Sequence, residues 1–156
     1  MAIENWIDEV VEVFGSVAGH AGKAVRAYYV YRKAEFPDAL SAYPCVLTFS
    51  EALRPEYSRS GPLIDAWVGV TEFHLYPDQA RAHYPEVMLY FARIRNAMAA
   101  HVTLGGRVAH FLPRLDVPYP LRGPVVLKFG GEEPHVGIVV QWQVKENVGS
   151  EYTIAA

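Results

Sequence analysis

The chain has 156 residues, a hydrophobic fraction of 51%, a charged fraction of 20% and a net charge of −3 with His neutral. That length suits one domain able to bury a core, and the composition excludes a disordered polymer or a charge-driven nucleic-acid binder. A single cysteine, Cys45, excludes an intrachain disulfide and a cysteine-rich zinc site.

Ile3, Trp6, Ile7, Val10, Val11, Phe14 and Val17 recur at helical spacing, with Glu4, Asp8, Glu9 and Glu12 between them. This predicts an amphipathic helix with an acidic outer face, fraying near Gly15, Gly19 and Gly22. Ala24–Tyr31 is rich in aromatic and β-branched residues and reads as a strand, with a continued helix as its competitor. The segment from Phe36 to Pro44 is a proline-punctuated connection, and Cys45–Ser50 reads as a short buried strand. Glu51–Asp65 carries two prolines, a glycine and hydroxyl side chains around Arg54 and Arg59, with little periodicity. It reads as an exposed loop or a long hairpin tip, and a connection of that length usually serves a purpose.

Ala66–Leu75 is the next expected strand. Pro77-Asp78 opens the second helical region, in which Pro85–His101 carries the stripe Val87, Phe91, Ile94 and Met98 and is about 25 Å long. Gly105-Gly106 ends that region, Arg107–Leu112 reads as a strand, and Pro113–Pro124 as a wandering loop. Val125–Phe129 and His135–Val144 then form a hairpin about the turn Gly130–Pro134. In its second strand Val136, Ile138, Val140, Trp142 and Val144 occupy alternate positions, so they share one face. Gly137, Val139, Gln141, Gln143 and Lys145 share the other, which is apolar only in part. The expected fold is α+β: a mostly antiparallel sheet of about five to six strands with two main helices on one face. Residues 1–146 form one domain, and 147–156 a polar tail. Neither a secretory leader nor an apolar run of bilayer length is seen, so a soluble protein made in a cytoplasm is expected.

The residues that carry chemistry elsewhere are poorly arranged here. Six histidines are present (His20, His74, His83, His101, His110 and His135), with no helical pair of the metalloprotease kind. His74, Asp78 and His83 flank one turn and are the best metal candidate, yet zinc sites show tighter spacing, and surface or half-buried histidines at element ends is the reading adopted. Ser58 and Ser60 lack a nucleophile elbow, and Cys45 opens an apolar strand as a buried thiol would. Gly130-Gly131 precedes two glutamates and would repel phosphate. Tyr28, Tyr29 and Tyr31 with Arg26 and Arg32 offer an aromatic-basic strip for single-stranded nucleic acid, against which the acidic chain favours a core edge or protein interface. Neither a catalytic residue, a cofactor nor a metal is therefore expected.

The layout itself is familiar. The opening helix Ile3–Val17, Pro37-Asp38-Ala39-Leu40 before Pro44-Cys45-Val46-Leu47-Thr48-Phe49, and Ala66–Leu75 leading into Pro77-Asp78-Gln79 carry the likeness. So do Tyr90–Met98 running to Thr103-Leu104-Gly105-Gly106, and Val136-Gly137-Ile138-Val139-Val140. From Ile3 to Val144 the chain resembles the tail terminator proteins of long-tailed bacteriophages, although the Pro113–Pro124 loop departs from that layout. The resemblance implies a non-enzymatic virion protein: a homo-hexameric ring on the head-proximal end of the tail tube. Such a ring stops tube growth and receives a head-completion or connector protein. Six copies at −3 total about −18, so genomic DNA would pass the lumen without adhering, and no membrane is involved. Loop length and charge nominate Arg54, Tyr57 and Arg59, with Glu132 and Glu133, as contacts to neighbouring subunits or the tube. Other readings stand beside this one: another neck or head-completion protein, a different self-assembling module, or a small His-containing ligand-binding domain or enzyme.

Overall fold

Alternation along the last strand dictates the layering. In the computed structural model, which describes residues 3–56, 63–129 and 133–148, the five alternating residues from Val136 to Val144 are all buried. They form the floor of the main core, beside Val46 and Phe73 of the neighbouring strands. The roof is two helices. Trp6, Ile7, Val10, Val13 and Phe14 come from α1 (Ile7–Gly15) and the residue before it, and Val87, Tyr90, Ile94 and Met98 from α3 (Tyr84–Ala99). Edge-on rings lock the layers together: Trp6 meets Trp142 at 6.0 Å, and Phe14 meets Phe73 at 5.7 Å and Phe111 at 5.8 Å between centroids.

The strands are β1 (Arg26–Tyr28), β2 (Cys45–Glu56), β3 (Ile64–Tyr76), β4 (His110–Pro113), β5 (Leu121–Leu127) and β6 (His135–Asn147). They form one sheet in the order β1-β2-β3-β6-β4, with β5 also on β6. The far edge of β6 is thus shared: Leu127 pairs with His135 at one end, and His110 with Lys145 at the other. Every pairing is antiparallel except β1 with β2. The fold is α+β, as the alternation and helical stripes imply. No helix among the described residues is long and apolar enough to cross a membrane.

Several boundaries move, each for a local reason. The opening helix breaks at Trp6, leaving a 3-10 turn over Ile3–Asn5 ahead of α1. Ala24–Tyr31 divides into the three-residue β1 and a single helical turn, α2 (Val30–Lys33). β2 does not stop at Ser50 but runs on to Glu56, pairing in register with Ile64 after a bulge between Ser50 and Ala52. Glu51–Asp65 is therefore the outer half of a long hairpin, of which residues 57–62 lie outside the described chain. Because residues 51–55 are exposed, they show no hydrophobic alternation to mark them as a strand. β4 starts at His110 rather than Arg107, after a turn in which Gly105 and Gly106 take φ of +71° and +86°. β5 begins inside the stretch read as Pro113–Pro124, with a register shift between Arg122 and Val125 around Pro124. β6 continues through Glu146 to Asn147, which the polarity of those residues disguised, and the amide of Val148 donates to the Leu63 carbonyl at 3.0 Å.

The opposite face of the sheet is covered at one end only. Tyr28, Leu40, Cys45 and Leu47 form a second cluster there, joined by Val30, Tyr43, Phe49 and Phe129. The proline-punctuated segment before β2 thus folds back over the strand that follows it.

Candidate interaction face

Beyond that second cluster the outer face opens. Register pairs Ala52 with Val68 and Val68 with Gln143, and in the next row Arg54 with Ala66 and Ala66 with Lys145. These six positions floor a groove of about 440 Å³, walled on one side by Arg114, Leu115 and Asp116 from the loop between β4 and β5. The wall is held by polar contacts. Arg114 grips Asp116 with two bonds, 2.6 Å and 3.1 Å, and the Leu115 amide donates to the Gln143 side chain at 2.9 Å. Gln143 turns its amide nitrogen to His110 Nε2 at 3.0 Å. That contact needs an unprotonated Nε2, and burial together with the Lys145 charge lowers the His110 pKa. Beside the groove, Glu56 accepts from Arg54 at 3.0 Å and Lys145 at 3.3 Å, and these bonds hold its carboxyl below the usual range. Leu115 is 72% exposed and Leu53 40%, so apolar surface stands beside the charges.

The nominated contact residues separate in space. Arg54 lies in the groove with most of its side chain in solvent. Glu133 is exposed and precedes His135, at the opposite end of β6 from Lys145. Ten residues of strand place the two ends about 30 Å apart, so they cannot form one patch. Tyr57, Arg59 and Glu132 lie outside the described residues, as do Ser58, Ser60 and Gly130-Gly131. Sequence reasoning missed Glu56, Arg114, Leu115, Asp116 and Lys145. The outward parity of Gln143 and Lys145 was visible, but their meeting with Arg114–Asp116 depends on where β4 pairs.

The histidines do not gather as one metal site. His83 Nε2 lies 3.4 Å from Asp78, its Nδ1 3.6 Å from Glu86, and its ring stacks on Tyr76. His20 meets the same Glu86 at 3.2 Å. Tyr76 also donates to Glu86; that bond first, with the two histidines, holds the Glu86 carboxyl low, while burial and Glu86 push the Tyr76 hydroxyl up. His74 turns away from Asp78 and His83, toward Glu72 and His135. Among the described residues no group of three or more His, Cys, Asp or Glu is placed to hold a metal ion. Cys45 is fully buried.

The aromatic-basic strip is consumed internally. Arg26 lies over Tyr28 at 4.5 Å and pairs with Glu35, and Arg32 and Lys33 lie over Tyr29 at 5.4 Å and 4.9 Å. Tyr28 is buried, and the Tyr31 hydroxyl accepts from the Ser50 amide at 2.8 Å. The rings are thus not laid out as a stacking platform for bases. No family model and no curated protein matches this chain.

Proposed function

We propose that this chain is a structural virion subunit that assembles head-to-tail into a homo-hexameric ring at the head-proximal end of a phage tail tube. There it stops tube growth and presents the surface on which the head docks. The observation that carries the reading is the open end of the outer sheet face, where a groove with apolar and charged walls lies opposite the helix-covered side. A subunit whose two faces differ in this way suits heterologous contacts, which close into rings when the rotation permits. The resemblance in element order to tail terminators supplies the particular assembly. The groove, with Arg54 on its floor and Leu115 on its wall, is the surface assigned to the neighbouring subunit or the tube.

Electron microscopy of the purified protein with polymerising tail-tube subunits tests this. Rings seated on tube ends, and tubes shortened in proportion to added protein, are expected. Arg54→Glu with Leu115→Asp should abolish capping while leaving the melting transition of the isolated subunit in place. Tubes equally long with and without the protein, and no ring in either preparation, would overturn the proposal. Capping that survives the double substitution would move the contact away from the groove.

A further inference from the structure

The two edges of the sheet are finished differently. Beyond β4, residues 114–120 form a loop with both ends tied to one residue of β6. The Arg114 amide donates to the Gln141 carbonyl at 2.9 Å, and the Gln141 amide to the Pro120 carbonyl at 2.7 Å. Between those ties, the Arg114 bonds to Asp116 and the Leu115 amide bond to Gln143 fix the loop further. Pro118 and Pro120 flank its tip and restrict the backbone there. That tip is Tyr119. It is 73% exposed, and among the described residues its ring and hydroxyl have no partner. A fixed loop that holds a large amphipathic side chain in water has little ordering entropy left to lose, so it is a preorganised contact.

At the opposite edge, β1 ends the strand order. The Arg26 amide bonds the Pro44 carbonyl on the β2 side, so alternation turns the Ala27 carbonyl to the free side. There the Arg26 guanidinium takes it, occupying the acceptor that a further strand would use. What remains is a groove of about 430 Å³ between β1 and the end of α1, lined by Glu12, Ser16, Val25, Ala27 and Tyr29 among others. Val25 and Ala27, both half-buried against the main core, give it an apolar side. Glu12 gives it an exposed carboxylate that has no ion pair or hydrogen bond among the described residues. Burial, and then this carboxylate, raise the pKa of the Tyr29 hydroxyl beside it.

We propose that the Tyr119 loop of one copy inserts into the β1-edge groove of the next, its ring against Val25 and Ala27 and its hydroxyl donating to Glu12. The choice of a second copy as occupant rests on the ring reading, and the pairing rests on complementary chemistry. The groove calls for an apolar group that ends in a hydrogen-bond donor and brings no negative charge to Glu12. Val117, Pro118, Tyr119 and Pro120 supply that, and a hydroxyl bonded to a carboxylate belongs to the stronger class of hydrogen bond. Loop and groove lie at opposite edges, four strand steps or about 19 Å apart. The contact is therefore heterologous, and its repetition leads from copy to copy around a ring.

The test is a mixing experiment read by sedimentation velocity and native mass spectrometry. The unaltered chain should associate at high concentration. Tyr119→Ala should weaken that association about thirtyfold or more. Ser16→Trp, which fills the groove from an exposed position, should weaken it as much, and both variants should keep the native melting transition. Mixed one to one, the two variants should form a dimer and nothing larger, because each retains the half that the other has lost. Tyr119→Phe should cost about tenfold, with little more lost when Glu12→Ala is added. An unaltered chain monomeric up to millimolar concentration, native-strength association of Tyr119→Ala, or a mixture without dimers would each overturn the contact. Rings on tube ends that tolerate Tyr119→Ala would overturn it and leave the ring reading standing. A rescued dimer with tubes left uncapped would do the reverse.

Discussion

Gly69 occupies the one position in β3 where the core cannot accept a side chain. It pairs in register with Trp142, and a Cβ built on it would lie 2.2 Å and 2.5 Å from two atoms of the indole's six-membered ring and 2.5 Å from the Phe49 carbonyl oxygen. Ordinary contact needs at least 3.4 Å, so Gly69→Ala forces Trp142 and β2 apart by about an ångström, and overpacking of this kind costs about 1–3 kcal/mol. Trp142 cannot tilt freely, because its Nε1 donates to Thr71 at 3.1 Å in the buried core. Losing that bond adds about 0.5–1.5 kcal/mol. Together the cost is about 2–4 kcal/mol, and for a chain of this size the melting temperature should fall by about 5–15 °C. Thermal and urea melts of the native protein, Gly69→Ala, Trp142→Phe and the double variant form the assay. Phenylalanine removes the indole atoms that clash but leaves the Phe49 carbonyl in place. The cost of Gly69→Ala in the Trp142→Phe background should therefore drop by about half rather than vanish. Equal costs in both backgrounds, or a single variant as stable as the native protein, would show that Trp142 does not pack over Gly69.

Three further outcomes are expected. Val140, fully buried between Thr71 and Leu121 in the register, should not tolerate Asp: burial of the valine is worth about 1.5–3 kcal/mol and a trapped carboxylate costs more, so a normal melting transition in Val140→Asp would refute the assigned face. Glu146 is 1% exposed, and neither carboxylate oxygen has a hydrogen-bond partner among the described residues; burial first, and the charge of cross-strand Asp65 with it, raises its pKa. Trp6 Nε1 lies near enough to temper that rise. A carboxyl with a raised folded pKa stabilises in acid and loses that stability as pH climbs from the unfolded value near 4.3. Glu146→Gln should accordingly stabilise by about 1–3 kcal/mol at pH 7 in urea melts, with the gain fading below pH 4; no gain at pH 7 would contradict it. Cys45 should resist alkylation in the native protein and react at once in denaturant, as mass spectrometry would show; rapid native labelling would contradict its burial.

Much of this architecture could be read directly from the chain. Alternation from Val136 to Val144 and the helical stripes on α1 and α3 each encode a single buried face, because side-chain direction follows backbone period with no knowledge of neighbours. From them come the α+β class, the antiparallel hairpin and the helices on one side. The groove was not legible. Arg114 and Lys145 are thirty-one positions apart, and only the pairing of β4 against the end of β6 brings them to the same rim as Arg54. The exposed half of β2 was equally silent, since a strand bounded by solvent leaves no hydrophobic pattern.

Local sequence thus determined which residues turn inward, a matter of covalent geometry and solvent aversion acting over one or two helical turns. Tertiary structure alone decided which polar groups meet: the Glu72, His74 and His135 line, the Asp65 and Glu146 pair, and the charged rim of the groove. Hydrogen bonds and ion pairs act over a few ångströms, and strand register, not distance along the chain, sets what lies within that reach.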